Sequence, residues 1–141
     1  MKTFYHCLIM WIPFVLLFTY ATFGLEFLEG KKILTSEHIE LNNSELFYLF
    51  METVLVICLY PISFLPLTLI VNKFVENLLF KTVIFTFFGG LLGALVFKII
   101  FNSFFIEIYK LSIISSIIMF SIAGLLYAFV ESFFKRNIHF V

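Results

Sequence analysis

The sequence predicts an all-α fold: an integral membrane four-helix bundle running up-down-up-down, with a short interfacial helix before the last span. Three observations predict it. The chain is 62% hydrophobic and 13% charged over 141 residues, which leaves too little polar surface to coat a soluble globule. The excess is gathered into four runs free of formal charge, Thr3–Leu25, Thr53–Asn72, Thr82–Phe97 and Leu111–Val130. A helix rising about 1.5 Å per residue needs roughly 20 residues to cross about 30 Å of hydrocarbon, and three of the runs supply that directly. Finally, small residues recur every four positions in the third and fourth runs, the spacing by which helices pack inside a bilayer.

A single transmembrane domain over residues 1–141 follows, with spans at about 4–25, 48–71, 79–100 and 111–133 and a polar loop at 26–45. Met1-Lys2 ahead of an apolar run could mark a secretory signal. The run is longer than the roughly 7–15 residues of a signal core, and Pro13 interrupts it, so a retained first helix with a kink or tilt is expected. The loop EFLEGKKILTSEHIELNNSE sets five Glu against Lys31, Lys32 and His38. Gly30 marks a turn there, Ser36 is placed to cap a short helix, and Asn42-x-x-Glu45 resembles a capping box opening the second span.

The second span contains Tyr60-Pro61-Ile62-Ser63-Phe64-Leu65-Pro66. Each proline removes a backbone donor and frees a carbonyl one turn earlier. A kinked helix is expected, with Ser63 and Thr68 available to the freed groups. A broken helix offering carbonyls to an ion or substrate is the sharper alternative. The third run is short, and helix over Leu78–Ile100 requires Lys81 and Lys98 to snorkel to the two surfaces. The segment Lys98–Lys110 predicts the interfacial helix, capped by Asn102 or Ser103, with Glu107 and Lys110 facing water. Lys135-Arg136 stops the fourth span.

Two rows of small residues share the third span: Thr82, Thr86, Gly90 and Ala94 in one, Gly89 and Gly93 in the other. The fourth span answers with Ser112, Ser116, Gly124, Ala128 and Ser132, a row broken by Phe120. Thr86, Gly89, Gly90, Gly93, Ala94, Gly124 and Ala128 are therefore the candidate helix-packing residues. They predict a tight, right-handed hairpin of spans three and four, with a homodimer through the same groove as its competitor.

Glu52 and Glu131 are the candidate intramembrane polar residues. Glu52 either marks the water boundary of the second span or lies inside it. Glu131 either pairs with Lys135 at i+4 or is buried against span three, where His6 could approach it. Cys7 and Cys58 read as small packing residues. His38 among flexible glutamates makes no metal site. No catalytic, metal or cofactor motif is present, so a non-enzymatic protein is expected. With nine basic and nine acidic residues and no long basic run, nothing points to nucleic acid, and no small-molecule substrate is identifiable.

Gly89-Gly90-x-x-Gly93-Ala94 followed by a basic residue resembles a motif of the small fluoride-channel family, whose members are four-span, dual-topology dimers. That family carries its motif in the first span, so no functional residue is transferred. Small multidrug exporters share the size and span count, but they need a membrane Glu in span one, which this chain lacks. As a whole the chain resembles small four-span proteins of unassigned function from low-GC Gram-positive bacteria, which implies a cell-membrane location. The excess of Glu over Asp and of Phe and Ile suits such an AT-rich bacterial genome. With the N-terminus inside, the inner segments carry Lys2, Lys73, Lys81, Lys135 and Arg136 against Lys31, Lys32, Lys98 and Lys110 outside, so both termini are expected to be cytoplasmic. The function expected is that of an accessory or immunity-type subunit acting by intramembrane helix packing. Its partners are the lipid bilayer and another membrane protein or a second copy of itself. The alternative is a small ion channel or transporter, arranged as a dual-topology dimer.

Overall fold

The computed structural model describes residues 2–33 and 44–138, with side chains described for residues 4–33 and 50–137. The expectations for Ser36, His38 and Asn42-x-x-Glu45 lie outside the described residues. Four helices are long and apolar enough to cross a membrane: Phe4–Ile33, Phe50–Phe74, Leu78–Ile100 and Ile113–Asn137. They form an all-α, up-down-up-down bundle, and no strand occurs among the described residues.

The first span is α1 (Lys2–Leu25), which continues through a π-helical turn, Glu26–Gly30, to Ile33. Its buried row is Cys7, Met10, Phe14, Phe18, Ala21 and Leu25, spaced three or four apart, as one face of a helix requires. Pro13 is accommodated without a break in the helix. The expected turn at Gly30 does not form. Glu29, one turn beyond Leu25, is drawn into the bundle by partners on the fourth span, and those contacts hold the chain helical past the apolar run.

The second span is α2 (Ser44–Leu59), a π-helical turn Tyr60–Phe64, and α3 (Leu65–Phe74). Pro61 cannot donate to Ile57, and the indole N–H of Trp11 donates to that carbonyl instead, at 3.2 Å. The Leu65 N–H reaches back to the Tyr60 carbonyl, which is the wider π register. Ser63 Oγ donates to the Leu59 carbonyl at 2.6 Å and Thr68 Oγ1 to the Phe64 carbonyl at 2.6 Å. The helix is widened, not broken, and these carbonyls are taken up within the protein as hydrocarbon surroundings demand.

The third and fourth spans are α4 (Leu78–Ile100) and α6 (Ile113–Ile138), joined through α5 (Ser103–Tyr109). Asn77 starts α4, its Oδ1 accepting from the Leu79 N–H at 3.0 Å. Asn102 precedes α5, but its side chain makes no capping bond. Lys110 ends α5 in the left-handed region at φ 49°, and the Leu111 N–H bonds the Ile106 carbonyl at 3.2 Å, closing the helix as a C-terminal cap does.

The most extensive helix contact is α4 on α6, and glycine makes it possible. A methyl group on Gly89 would stand 2.5 Å from the Phe120 carbonyl oxygen, and one on Gly93 2.7 Å from that of Ser116. Gly124 lies as tightly against the backbone of Phe85. Ser116 Oγ donates across the seam to the Gly93 carbonyl at 2.7 Å. Between the ends of the bundle the core is aromatic. Phe14, Phe18, Phe64, Phe85 and Phe120 are fully buried, with ring centroids such as Phe14–Phe18 at 4.2 Å, Phe18–Phe64 at 5.0 Å and Phe64–Phe85 at 5.8 Å.

Candidate functional site

Three features outside the aromatic core have chemistry or shape of their own: a polar cluster at each end of the bundle and a groove on its flank.

At the end where α1 begins and α6 finishes, Glu131 is completely buried. His6 Nε2 lies 3.3 Å from its Oε1 and Lys81 Nζ 3.5 Å from its Oε2. Lys81 also donates to Asn72 Oδ1 at 2.5 Å. The four residues come from the four spans, so each helix contributes one member. The cluster corrects the sequence expectation for Lys81, which does not snorkel: it is 3% exposed because Glu131 on the fourth span compensates its charge inside and Asn72 on the second accepts its hydrogen bond. Lys98 is exposed. One turn deeper, Tyr60 donates to the Cys7 carbonyl at 2.6 Å and stands 3.5 Å from the Tyr127 hydroxyl, which is 3.0 Å from Thr68 Oγ1. Tyr60 and Tyr127 therefore tie spans one, two and four together just beneath the charges.

At the opposite end, Glu29 is 2% exposed. Its carboxylate accepts from the Ser112 N–H at 3.0 Å, Ser115 Oγ at 2.7 Å and Lys32 Nζ at 2.7 Å. An anion held against the free N–H groups that open a helix is favourable both as a cap and with the helix dipole. Glu52, 9% exposed, faces the Glu26 carboxyl across the α1–α2 contact.

The groove lies between α4 and α6 on the outer face. It encloses ≈ 540 Å³ and is lined by Thr82, Thr86, Gly90 and Ala94 from α4 and by Ile117, Ser121 and Leu125 from α6. Thr82 and Thr86 donate to the Leu78 and Thr82 carbonyls at 2.8 and 2.7 Å, so their hydroxyls are satisfied within the helix and the groove is apolar in character.

The candidate packing residues thus divide. Gly89, Gly93 and Gly124 seat α4 on α6, and Ala128 is fully buried. Thr86, Gly90 and Ala94 open on the groove, Gly90 at its base beneath Ser121 Oγ. Of the candidate polar residues, Glu131 lies against span three with His6 beside it, and Glu52 lies between spans one and two. Cys7 is buried and Cys58 exposed. Sequence reasoning missed Glu26, Glu29, Tyr60, Asn72 and Tyr127. Glu29 alone had a signal: it stands four residues after Leu25 on the buried row of α1. Among the described residues no three His, Cys, Asp or Glu side chains converge as a metal site would require. Comparison with known protein families, curated proteins and solved structures gives no match.

Proposed function

We propose that this chain is a non-enzymatic accessory or immunity-type subunit of the cell membrane, with both termini cytoplasmic, that binds a transmembrane helix of a partner along the α4–α6 groove. The observation that carries this reading is the groove itself. Much of the outer surface is studded with exposed Phe, Leu and Ile, such as Leu95, Ile118, Ile122 and Phe133, as a lipid-facing wall is. Along Thr82, Thr86 and Ala94 the side chains shrink, with Gly90 buried at the base against Ser121 and Ile117. Close approach of backbones is what drives helix association where hydrocarbon offers no hydrophobic effect. The end clusters support the same reading by tying the four spans into a stiff body that presents this face.

The channel or transporter alternative would need a polar path from the Pro61–Pro66 segment to Glu52. The freed Ile57 carbonyl is taken by Trp11, and the axis between the end clusters is filled by phenylalanines packed ring against ring. Neither feature favours it.

A photo-crosslinking side chain placed at Leu91, beside the groove, tests the proposal in native membranes, with the same group at Ile122 as the lipid-facing control. A discrete protein adduct is expected from Leu91 alone, and it should vanish in Thr86→Leu and Ala94→Leu, which fill the groove without entering the glycine seam. An adduct of twice the chain's mass would identify a second copy as the partner. Equal labelling at both positions, or labelling unchanged in the filled variants, overturns the proposal.

A further inference from the structure

Three described glutamates are buried in this bundle, and two of them have a counter-charge built in. Glu131 has Lys81 and His6, and Glu29 has Lys32 together with two donors at the start of α6. Glu52 has neither. It is 9% exposed, its Oε2 is buried without a hydrogen-bond partner, and the charged group facing it is a second acid, Glu26 on the π-turn of the first span. From this contrast we infer that Glu26 and Glu52 form a single-cation site, in which one monovalent positive charge, a proton or an alkali-metal ion, is held between the two carboxyl groups.

Two facing carboxylates at the edge of the hydrocarbon carry a charge that no cationic side chain among the described residues neutralises, and such a charge is held only with a partner. The neighbouring charges on α1 are Glu29 and Lys32, which are bonded to each other and, through Glu29, to Ser112 and Ser115 of α6, and Lys31, whose Nζ lies 4.1 Å from the Phe27 ring centroid. His6 and Lys81 serve the opposite end of the bundle. The arrangement is not that of a transition-metal site, which takes about four His, Cys or carboxylate ligands: no third acidic, His or Cys side chain converges here among the described residues. Glu26 is half-buried while Glu52 is buried, so the site is reached past Glu26. As a proton site, the hydrogen sits on one carboxyl oxygen and is donated to the other carboxylate. As an alkali-metal site, the ion replaces that proton.

The full-length chain in detergent tests this through its thermal unfolding midpoint. The midpoint is measured in sodium, potassium or choline chloride at equal ionic strength, each across a pH series, for wild type, Glu52→Gln and Glu26→Gln. A saturable rise of several degrees in sodium or potassium over choline, lost in both variants, assigns a metal ion. A midpoint indifferent to the metal but lowered at alkaline pH in wild type, with that part of the response lost in both variants, assigns a proton. Salt and pH responses shared by wild type and the variants overturn the inference. If Glu52→Gln does not fold, Glu26→Gln carries the same comparison.

Discussion

Replacing Lys81 by Met keeps a long, unbranched side chain in place and removes only the charge that faces Glu131. Lys81 Nζ lies 3.5 Å from Glu131 Oε2 and 2.5 Å from Asn72 Oδ1, and the two charged side chains are 4% and 0% exposed. Water therefore cannot reach in to replace the lost ammonium, and His6 at 3.3 Å is the partner left to the carboxylate. Removing one member of a buried ion pair costs about 3–5 kcal/mol, whereas replacing both members by apolar groups of similar volume is often neutral. At about 2–4 °C per kcal/mol for a chain of this size, Lys81→Met should lower the unfolding midpoint by roughly 6–20 °C. The double variant Lys81→Met/Glu131→Leu should recover most of that loss. Trp11 is the single tryptophan of the chain and its ring stacks on Tyr60 at 5.9 Å, so its fluorescence in detergent reports the transition. A single variant within about 1 kcal/mol of wild type, the ordinary effect of a surface pair, would refute the view that the pair is sealed inside the bundle. A double variant no more stable than the single one would refute the compensation argument.

Further outcomes follow from other contacts. Gly124→Ala drives a methyl group into the Phe85 backbone; overpacking of this kind costs about 1–3 kcal/mol, read as a lower midpoint. Glu29→Ala leaves the Ser112 N–H and Ser115 hydroxyl without their acceptor. A loss of about 1–3 kcal/mol is expected, with faster hydrogen exchange confined to the first turn of α6; protection unchanged there would argue against the cap. Trp11→Phe keeps an aromatic ring against Tyr60 but strands the Ile57 carbonyl in the membrane interior. Circular dichroism melting should show a loss of about 1–3 kcal/mol, and a neutral result would mean that the Pro61 turn satisfies its own carbonyls.

Much of this architecture is written in the sequence. The charge-free runs determine the number of spans, because a helix that crosses hydrocarbon must bury every backbone polar group internally and show lipid an apolar surface. The four-residue spacing of Gly89 and Gly93, met by Gly124 on the fourth span, brings α4 onto α6, since only small residues there let two backbones meet. The proline pair in the second span announces freed carbonyls, and Ser63 and Thr68 do bond main-chain carbonyls near them.

The tertiary structure alone decided where the charges went. A lysine one turn inside a span can extend to the surface or turn inward, and nothing local distinguishes the two. Lys81 turns inward because Glu131, fifty residues away, and Asn72 on another span meet it there. Glu29 reads from sequence as the start of a polar loop, yet it becomes the anchor of α6 because Ser112 and Ser115 arrive at its level in the folded bundle. Glu26 reads from sequence as the first residue of the polar loop and Glu52 as either a boundary or an intramembrane acid, and only the packing of the first two spans sets them face to face. Apolar length and small-residue spacing act within one helix and are legible in one dimension. Ion pairing and capping depend on which residues of other helices share the same depth, and that is settled only when the four spans pack together.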